Sequence, residues 1–195
     1  MTPGGKRERL IAAACQTVYQ QGIEKTTLAD IAAAADIPVG NVYYYFKTKN
    51  DIIRAVVESH LSEADALLAA IEADQHSPRD RLKALFAALA GQVNLIARYG
   101  CPHGTLCAEL DKRADGAGMA AELMRAPIEW MRRQFAAMGR PDASDLAVHL
   151  FARYQGAALL TSTFRDPELM AREADRAARW IDTLEDPAEK SAGRG

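Results

Sequence analysis

Residues 26–52 read TTLADIAAAADIPVGNVYYYFKTKNDI, and the order of residue types in this stretch decides the fold of the N-terminal part of the chain. Thr27 is a natural N-cap, and the charge of Asp30 three positions later favours a helix N-terminus. A helix is predicted from there to about Ala35, with Leu28 and Ile31 on one face. Asp36-Ile37-Pro38 predicts a tight turn, because proline disfavours a helical residue before it. A short helix follows from about Val39 to Phe46, and Thr48 caps a long one reaching about Asp74. Two helices across a tight turn are the geometry of a helix-turn-helix, in which the second enters a DNA major groove and the first braces it. Leu28, Ile31, Val42 and Phe46 can pack inward, and Ala32 and Ala35 allow close approach.

The outward residues of the short helix suit DNA. Consecutive helical residues point ~100° apart, so Tyr43, Tyr44 and Tyr45 cannot all be core. Asn41 can read an adenine edge in two-point fashion, and tyrosine hydroxyls can bond phosphate. Lys47 and Lys49 flank the next helix start, where they can hold the DNA backbone. Thr26 and Thr27 sit at a helix N-terminus, an anion-binding position, and Gly40 lets backbone approach phosphate.

Working outward, the same reading covers the rest of the chain. A first helix is predicted over about 6–20, with Leu10, Ala14 and Val18 inward and Gly22 ending it. Ser77-Pro78 starts a helix to about Tyr99, and Gly100 to Gly104 breaks it. A short helix over about 105–112 is followed by a loop at Asp115, Gly116 and Gly118. The next helix meets Pro127, which must kink or divide it, and extends to Met138. Helices over about 143–164 and 167–184 follow, and a polar tail at 186–195 is expected to be disordered. The expected fold is all-α: a DNA-binding domain at 1–50, a helical body at 51–185, and helix four (about 48–75) linking them.

Composition narrows the function classes. The chain carries 24 basic and 26 acidic residues. Residues 1–56 hold seven basic groups (Lys6, Arg7, Arg9, Lys25, Lys47, Lys49, Arg54) against five acidic ones, leaving the body net acidic. A mildly basic head on an acidic body suits a protein that touches phosphate at one end. Cys15, Cys101 and Cys107 are too few for a disulfide framework and fit a reducing cytoplasm. Leu10–Cys15 is too short an apolar run for a secretory signal, and no stretch approaches the ~20 apolar residues of a membrane span. P-loop, G-x-S-x-G, dinucleotide-glycine and H-E-x-x-H patterns are absent, and His60, His76, His103 and His149 lack metal spacing. Neither an enzyme nor a resident cofactor is expected.

The 26–52 stretch resembles the signature of the tetracycline-repressor (TetR) family of regulators. It matches at Thr27, Ile31, Ala32, Ala35, Gly40, Tyr43, Tyr45, Phe46 and Lys49. It departs at Asp36, where glycine is usual, and mildly at Ile37 and Ile52. The resemblance implies that helix three is the recognition helix. Thr27, Tyr43, Tyr44 and Lys49 would contact phosphate, and Val39, Gly40, Asn41 and Tyr45 would face the bases. A near-palindromic operator would be read by a two-fold homodimer. The last two long helices would form the dimer interface, and the middle helices would enclose a pocket for a small-molecule effector. The effector would shift helix four and relieve repression.

The body is compatible with this. Ala147, Leu150, Phe151, Tyr154, Ala157, Ala158 and Thr161 make a stripe for the dimer face, with Gly156 permitting close approach. An intramolecular core is the competing reading. Leu169, Ala177, Trp180, Ile181 and Leu184 give the last helix an apolar face. Candidate pocket residues are Phe86, Leu89, Val93, Tyr99, Cys101, Leu106, Cys107, Trp130, Met131, Phe135, Met138, His149 and Tyr154. Three readings compete for the segment Gly100 to Cys107. Cys101, His103 and Cys107 could bind metal, although their spacing matches no common zinc pattern. Cys101 or Cys107, near a helix N-terminus, could be a redox or electrophile sensor. The favoured reading is a structural turn at the pocket mouth with buried thiols. Cys15 is read as core.

Overall fold

A computed structural model describes residues 5–184, so the 186–195 tail lies outside the described residues. Ten helices follow in order: α1 (Lys6–Gln21), α2 (Leu28–Ala34), α3 (Val39–Tyr45), α4 (Lys49–Asp74), α5 (Pro78–Ala90), α6 (Val93–Tyr99), α7 (Pro102–Leu110), α8 (Ala117–Ala137), α9 (Ala143–Phe164) and α10 (Pro167–Thr183). Among the described residues there is no strand. The starts follow local chemistry. Thr27 and Asp30 form a reciprocal capping box on α2. Thr48 and Asp51 do the same before α4, at 2.8 and 3.1 Å. Ser77 caps α5 and Asp166 caps α10, each followed by proline.

Three boundaries differ from expectation. The helix predicted over 78–99 is two, because Gln92 leaves helical backbone (φ −105°, ψ 19°) just after Gly91. α7 begins at Pro102 rather than 105, since proline tolerates the first turn, where no intrahelical N–H bond is needed. Cys107 therefore lies beyond the first turn. α8 begins at Ala117, so that Gly118 lies in the helix rather than in the expected loop, and it continues through Pro127, whose nitrogen cannot donate a helical bond, without being divided there.

The contacts divide the described chain differently from a boundary at residue 50. Among the described residues, one compact unit comprises residues 5–63 and 105–123, and the other residues 64–104 and 124–184. The first unit buries Leu10, Ile23, Ile31, Val42, Ile52, Leu110 and Leu123. Its turn between α2 and α3 is a Schellman motif. Asp36 takes the left-handed conformation (φ 50°), donating its N–H to Ala33 at 3.1 Å, while Ile37 donates to Ala32 at 2.9 Å. From α7, Glu109 accepts the N–H of Ile23. Arg113 donates to Asn50 and pairs with Glu24 at 3.6 Å.

The second unit packs α5, α6, α9 and α10 around Phe86, Trp130, Met131, Phe135, Leu150, Tyr154 and Ile181. Arg79 of α5 donates to the carbonyls of Ile181 and Leu184, supplying a cation where α10 has none in its own last turn. The α9 stripe of Ala147, Leu150, Phe151, Tyr154, Ala157, Ala158 and Thr161 is buried within the unit. It is core, and the opposite face carries the exposed apolar residues Val148, Leu159, Leu160 and Phe164.

Candidate nucleic-acid interface

α3 is seven residues long, too short to stand without its neighbours. Val42 (0% exposed) and Phe46 (3%) anchor its inner side. Its outer side carries Val39 (47%), Tyr43 (51%) and Tyr44 (75%). Large apolar and aromatic groups this open on one short helix leave most of their surface unburied by the described residues. Tyr45 and Asn41 are half-buried. The rings of Tyr44 and Tyr45 meet edge to face with centroids 4.9 Å apart. A Cβ built on Gly40 meets nothing within 4 Å among the described residues, so the space beside it is open.

The polar residues divide. Lys47 donates to the Tyr43 carbonyl at 2.9 Å and Lys49 to the Glu24 carbonyl at 3.1 Å. An ammonium has three donors, so one such bond steers each lysine without exhausting it. The Thr27 hydroxyl is engaged in the capping box, donating to Asp30 at 2.7 Å and accepting its N–H at 3.1 Å. The Thr27 hydroxyl, and after it the Thr27 N–H donating to the same carboxylate at 2.9 Å, holds the Asp30 carboxyl below its ordinary range. Thr26, expected at the anion-binding helix N-terminus, lies inward instead. It is 2% exposed, and its hydroxyl bonds the Gly22 carbonyl at 2.7 Å. It braces the loop after α1 and does not face outward.

Two residues that counted only as charge in the sequence hold positions on the same elements. The Arg7 guanidinium stands 5.6 Å over the Phe46 ring, and Arg9 reaches the α2–α3 turn. Their spacing from the turn, 26 residues for Arg9, leaves no local signal.

Residues 10–56 match the family of bacterial regulatory proteins described as the tetR family. Along most of its length the chain is 26% identical to the transcriptional regulator TtgR of Pseudomonas putida, covering 91% of this chain and 88% of TtgR. It is 27% identical to the transcriptional repressor DhaR of a Mycobacterium species, over 83% of this chain and 85% of DhaR. The chain is a TetR-family transcriptional regulator. Its fold agrees with a TetR regulator from Legionella pneumophila, with TM-score 0.81 at 21% identity over 95% of this chain and all of that one. It also agrees with Escherichia coli NemR in its reduced form, with TM-score 0.76 at 22% identity over 88% and 95%. TetR-family regulators bind operator DNA, usually as dimers, and are not enzymes.

In the body of this TetR-family chain, most candidate pocket residues lie in one packed core rather than around an open cavity. Phe86, Cys101, Trp130, Met131, Phe135, Met138 and Tyr154 share one core, with Leu89 and Val93 packed against it. Tyr99 is half-buried. His149 is exposed, its ring centroid 5.1 Å from that of Trp180, and so does not line an enclosed site. Leu106 and Cys107 belong to the other unit, where the Cys107 thiol donates to the Ala120 carbonyl at 3.4 Å. The Cys101 sulfur accepts from the Gly104 N–H at 3.4 Å, the Tyr154 hydroxyl at 3.5 Å and the Gln155 amide at 3.7 Å. A cleft of about 600 Å³ in the first unit is lined by none of the predicted pocket residues. Among the described residues no three His, Cys, Asp or Glu side chains converge as metal ligands, and no helix is long and apolar enough to cross a membrane.

Proposed function

We propose that this regulator is a cytoplasmic repressor that reads a near-palindromic operator through α3 as a homodimer and releases it when a small molecule binds the body. The observation that carries the DNA reading is the open outer side of α3. Tyr43 and Tyr44 are exposed beside Lys47 and Lys49, with open space where Gly40 lacks a side chain. Val39 and Asn41 then face the bases with Tyr45, and Thr27 offers its helix N-terminus to phosphate. Dimerisation uses the outward face of α9 with α10. Val148, Ala152, Gly156, Leu159 and Thr163 recur at helical spacing on that exposed side. Among the described residues nothing lies within 4 Å of a Cβ built on Gly156, which leaves room for the close approach of a partner helix. The effector reading draws on the aromatic and methionine content of the second unit's core, and α4, which carries residues of both units, is the route to the head.

Gel-shift and fluorescence anisotropy with DNA from the chain's own upstream region test the reading. A specific, salt-sensitive complex is expected, with two protomers per site. Absence of specific binding at every neighbouring promoter overturns it. Leu159→Glu is expected to convert the dimer to a folded monomer by sedimentation equilibrium, and an unchanged dimer refutes the assigned face. A thermal-shift screen of small molecules identifies the effector by stabilisation.

A further inference from the structure

We propose that Arg9 is a positioning residue for the recognition helix, holding the left-handed turn at Asp36 that sets α2 against α3, and is not a phosphate contact. Asp36 has φ 50°, a conformation that disfavours a side chain and usually falls to glycine at the end of a helix. Only Ile37 and Pro38 separate Asp36 from the first residue of α3, so the backbone direction at Asp36 aims that helix. The Arg9 Nη2 donates to the Ala35 carbonyl at 2.6 Å and to the Asp36 carbonyl at 3.3 Å. These are the two carbonyls at the turn itself. α2 has no basic residue in its last turn, so Arg9, arriving from α1, is the cation at its negative end. A guanidinium suits the task because its planar fork can meet two carbonyls at once, which an ammonium on a flexible stem does less well. On the same turn of α1, Arg7 stands 5.6 Å over Phe46, the residue that ends α3. Two α1 arginines thus reach the entry and the exit of the recognition helix.

A phosphate contact and a positioning residue differ in their salt signature. Losing a phosphate contact reduces the slope of log K against log salt by about one and weakens binding to all sequences alike. Losing a positioning residue leaves the slope and weakens the operator alone. The experiment measures anisotropy of the full chain on two probes across a salt series. One probe is the upstream fragment that the wild-type chain retards, and the other is random-sequence DNA. The variants are Arg9→Ala, Asp36→Gly, the double variant, Arg9→Lys and Tyr44→Ala. Arg9→Ala is expected to weaken operator binding roughly tenfold with slope and random-sequence affinity unchanged. Asp36→Gly in the same chain is expected to recover most of that loss, because glycine adopts the turn without strain. Arg9→Lys keeps the charge but not the fork and is expected to lose part of the operator preference. It serves if Arg9→Ala does not fold. A slope lowered by about one with both probes weakened equally overturns the proposal, as does wild-type binding by Arg9→Ala or Arg9→Lys, or no recovery in the double variant. The inference rests on α3 being the recognition helix, which Tyr44→Ala tests separately. If Tyr44→Ala binds normally, that reading of α3 fails. If Tyr44→Ala weakens binding and Arg9→Ala does not, only the role of Arg9 falls.

Discussion

Glu109 on α7 accepts the backbone N–H of Ile23, the second residue after α1 ends. The two are 86 positions apart, and Ile23 is 1% exposed. The bond ties the α1–α2 connection to the part of the chain that follows the Cys101 segment. Gly22 beside it has φ 87°, and a Cβ there would lie 2.4 Å from the Glu109 carboxylate. Glu109→Ala leaves a buried N–H without its acceptor, at a cost of about 1–3 kcal/mol. Gly22→Ala is expected to destabilise as well, because it adds both the left-handed strain and the collision. Urea unfolding of the two variants checks this, and wild-type midpoints for both would show that the contact contributes nothing to stability.

Stability and DNA binding separate along α3. Phe46 is 3% exposed, and Phe46→Ala is expected to cost about 3–5 kcal/mol by creating a cavity. Tyr44 is 75% exposed, and Tyr44→Ala is expected to change stability by less than about 0.5 kcal/mol while weakening operator binding. Chemical denaturation paired with anisotropy reads both quantities. A large loss of stability in Tyr44→Ala would place that ring in a packing role.

The capping carboxylates predict an acid response of the head. Asp30 is held below its ordinary value of 3.8 chiefly by the Thr27 hydroxyl, then by the Thr27 N–H. Asp51 is lowered chiefly by the Thr48 N–H, then by the Thr48 hydroxyl. A carboxyl lowered in the folded state stabilises it at pH above the unfolded value, and that contribution is lost as pH falls through the lowered one. Stability of the head is therefore expected to decline below about pH 4, and Thr27→Ala and Thr48→Ala to flatten the decline. Circular dichroism melts between pH 2 and pH 7 measure it, and identical profiles for wild type and both variants contradict the cap assignment.

The thiols are expected to react slowly. Burial pushes the Cys15 thiol up to about 11, with Glu63 adding to the shift against a hydrogen bond from Ser59. Cys101 and Cys107 are both buried. Titration of the native chain with a disulfide reagent at pH 7 is expected to label little until denaturant is added. Rapid, stoichiometric labelling of Cys101 that releases operator DNA would instead favour the sensor reading of that segment.

The helices and the head were legible because their signals are local. Thr27–Asp30, Thr48–Asp51, Ser77-Pro78 and Asp166-Pro167 act within three residues, and each starts a helix where the sequence places it. The inward set of α3, Val42 and Phe46, follows from helical spacing alone. The place of Thr26 is not legible in the sequence, because nothing in its neighbours shows that its hydroxyl turns back to Gly22.

Sequence by itself determined an all-helical chain whose first fifty-odd residues carry a helix-turn-helix, since caps, breakers and periodicity act over one or two turns. Tertiary structure alone decided which side of α9 is buried. Both sides of that helix are apolar, so periodicity cannot choose between the Leu150–Tyr154 stripe and the Val148–Leu159 stripe, and packing against α6 and α10 does. Tertiary structure also decided that a left-handed Asp36 stands where glycine is usual. The arginine that meets its carbonyl comes from another helix, 27 positions away, and a contact of that separation is fixed by packing rather than by any local pattern.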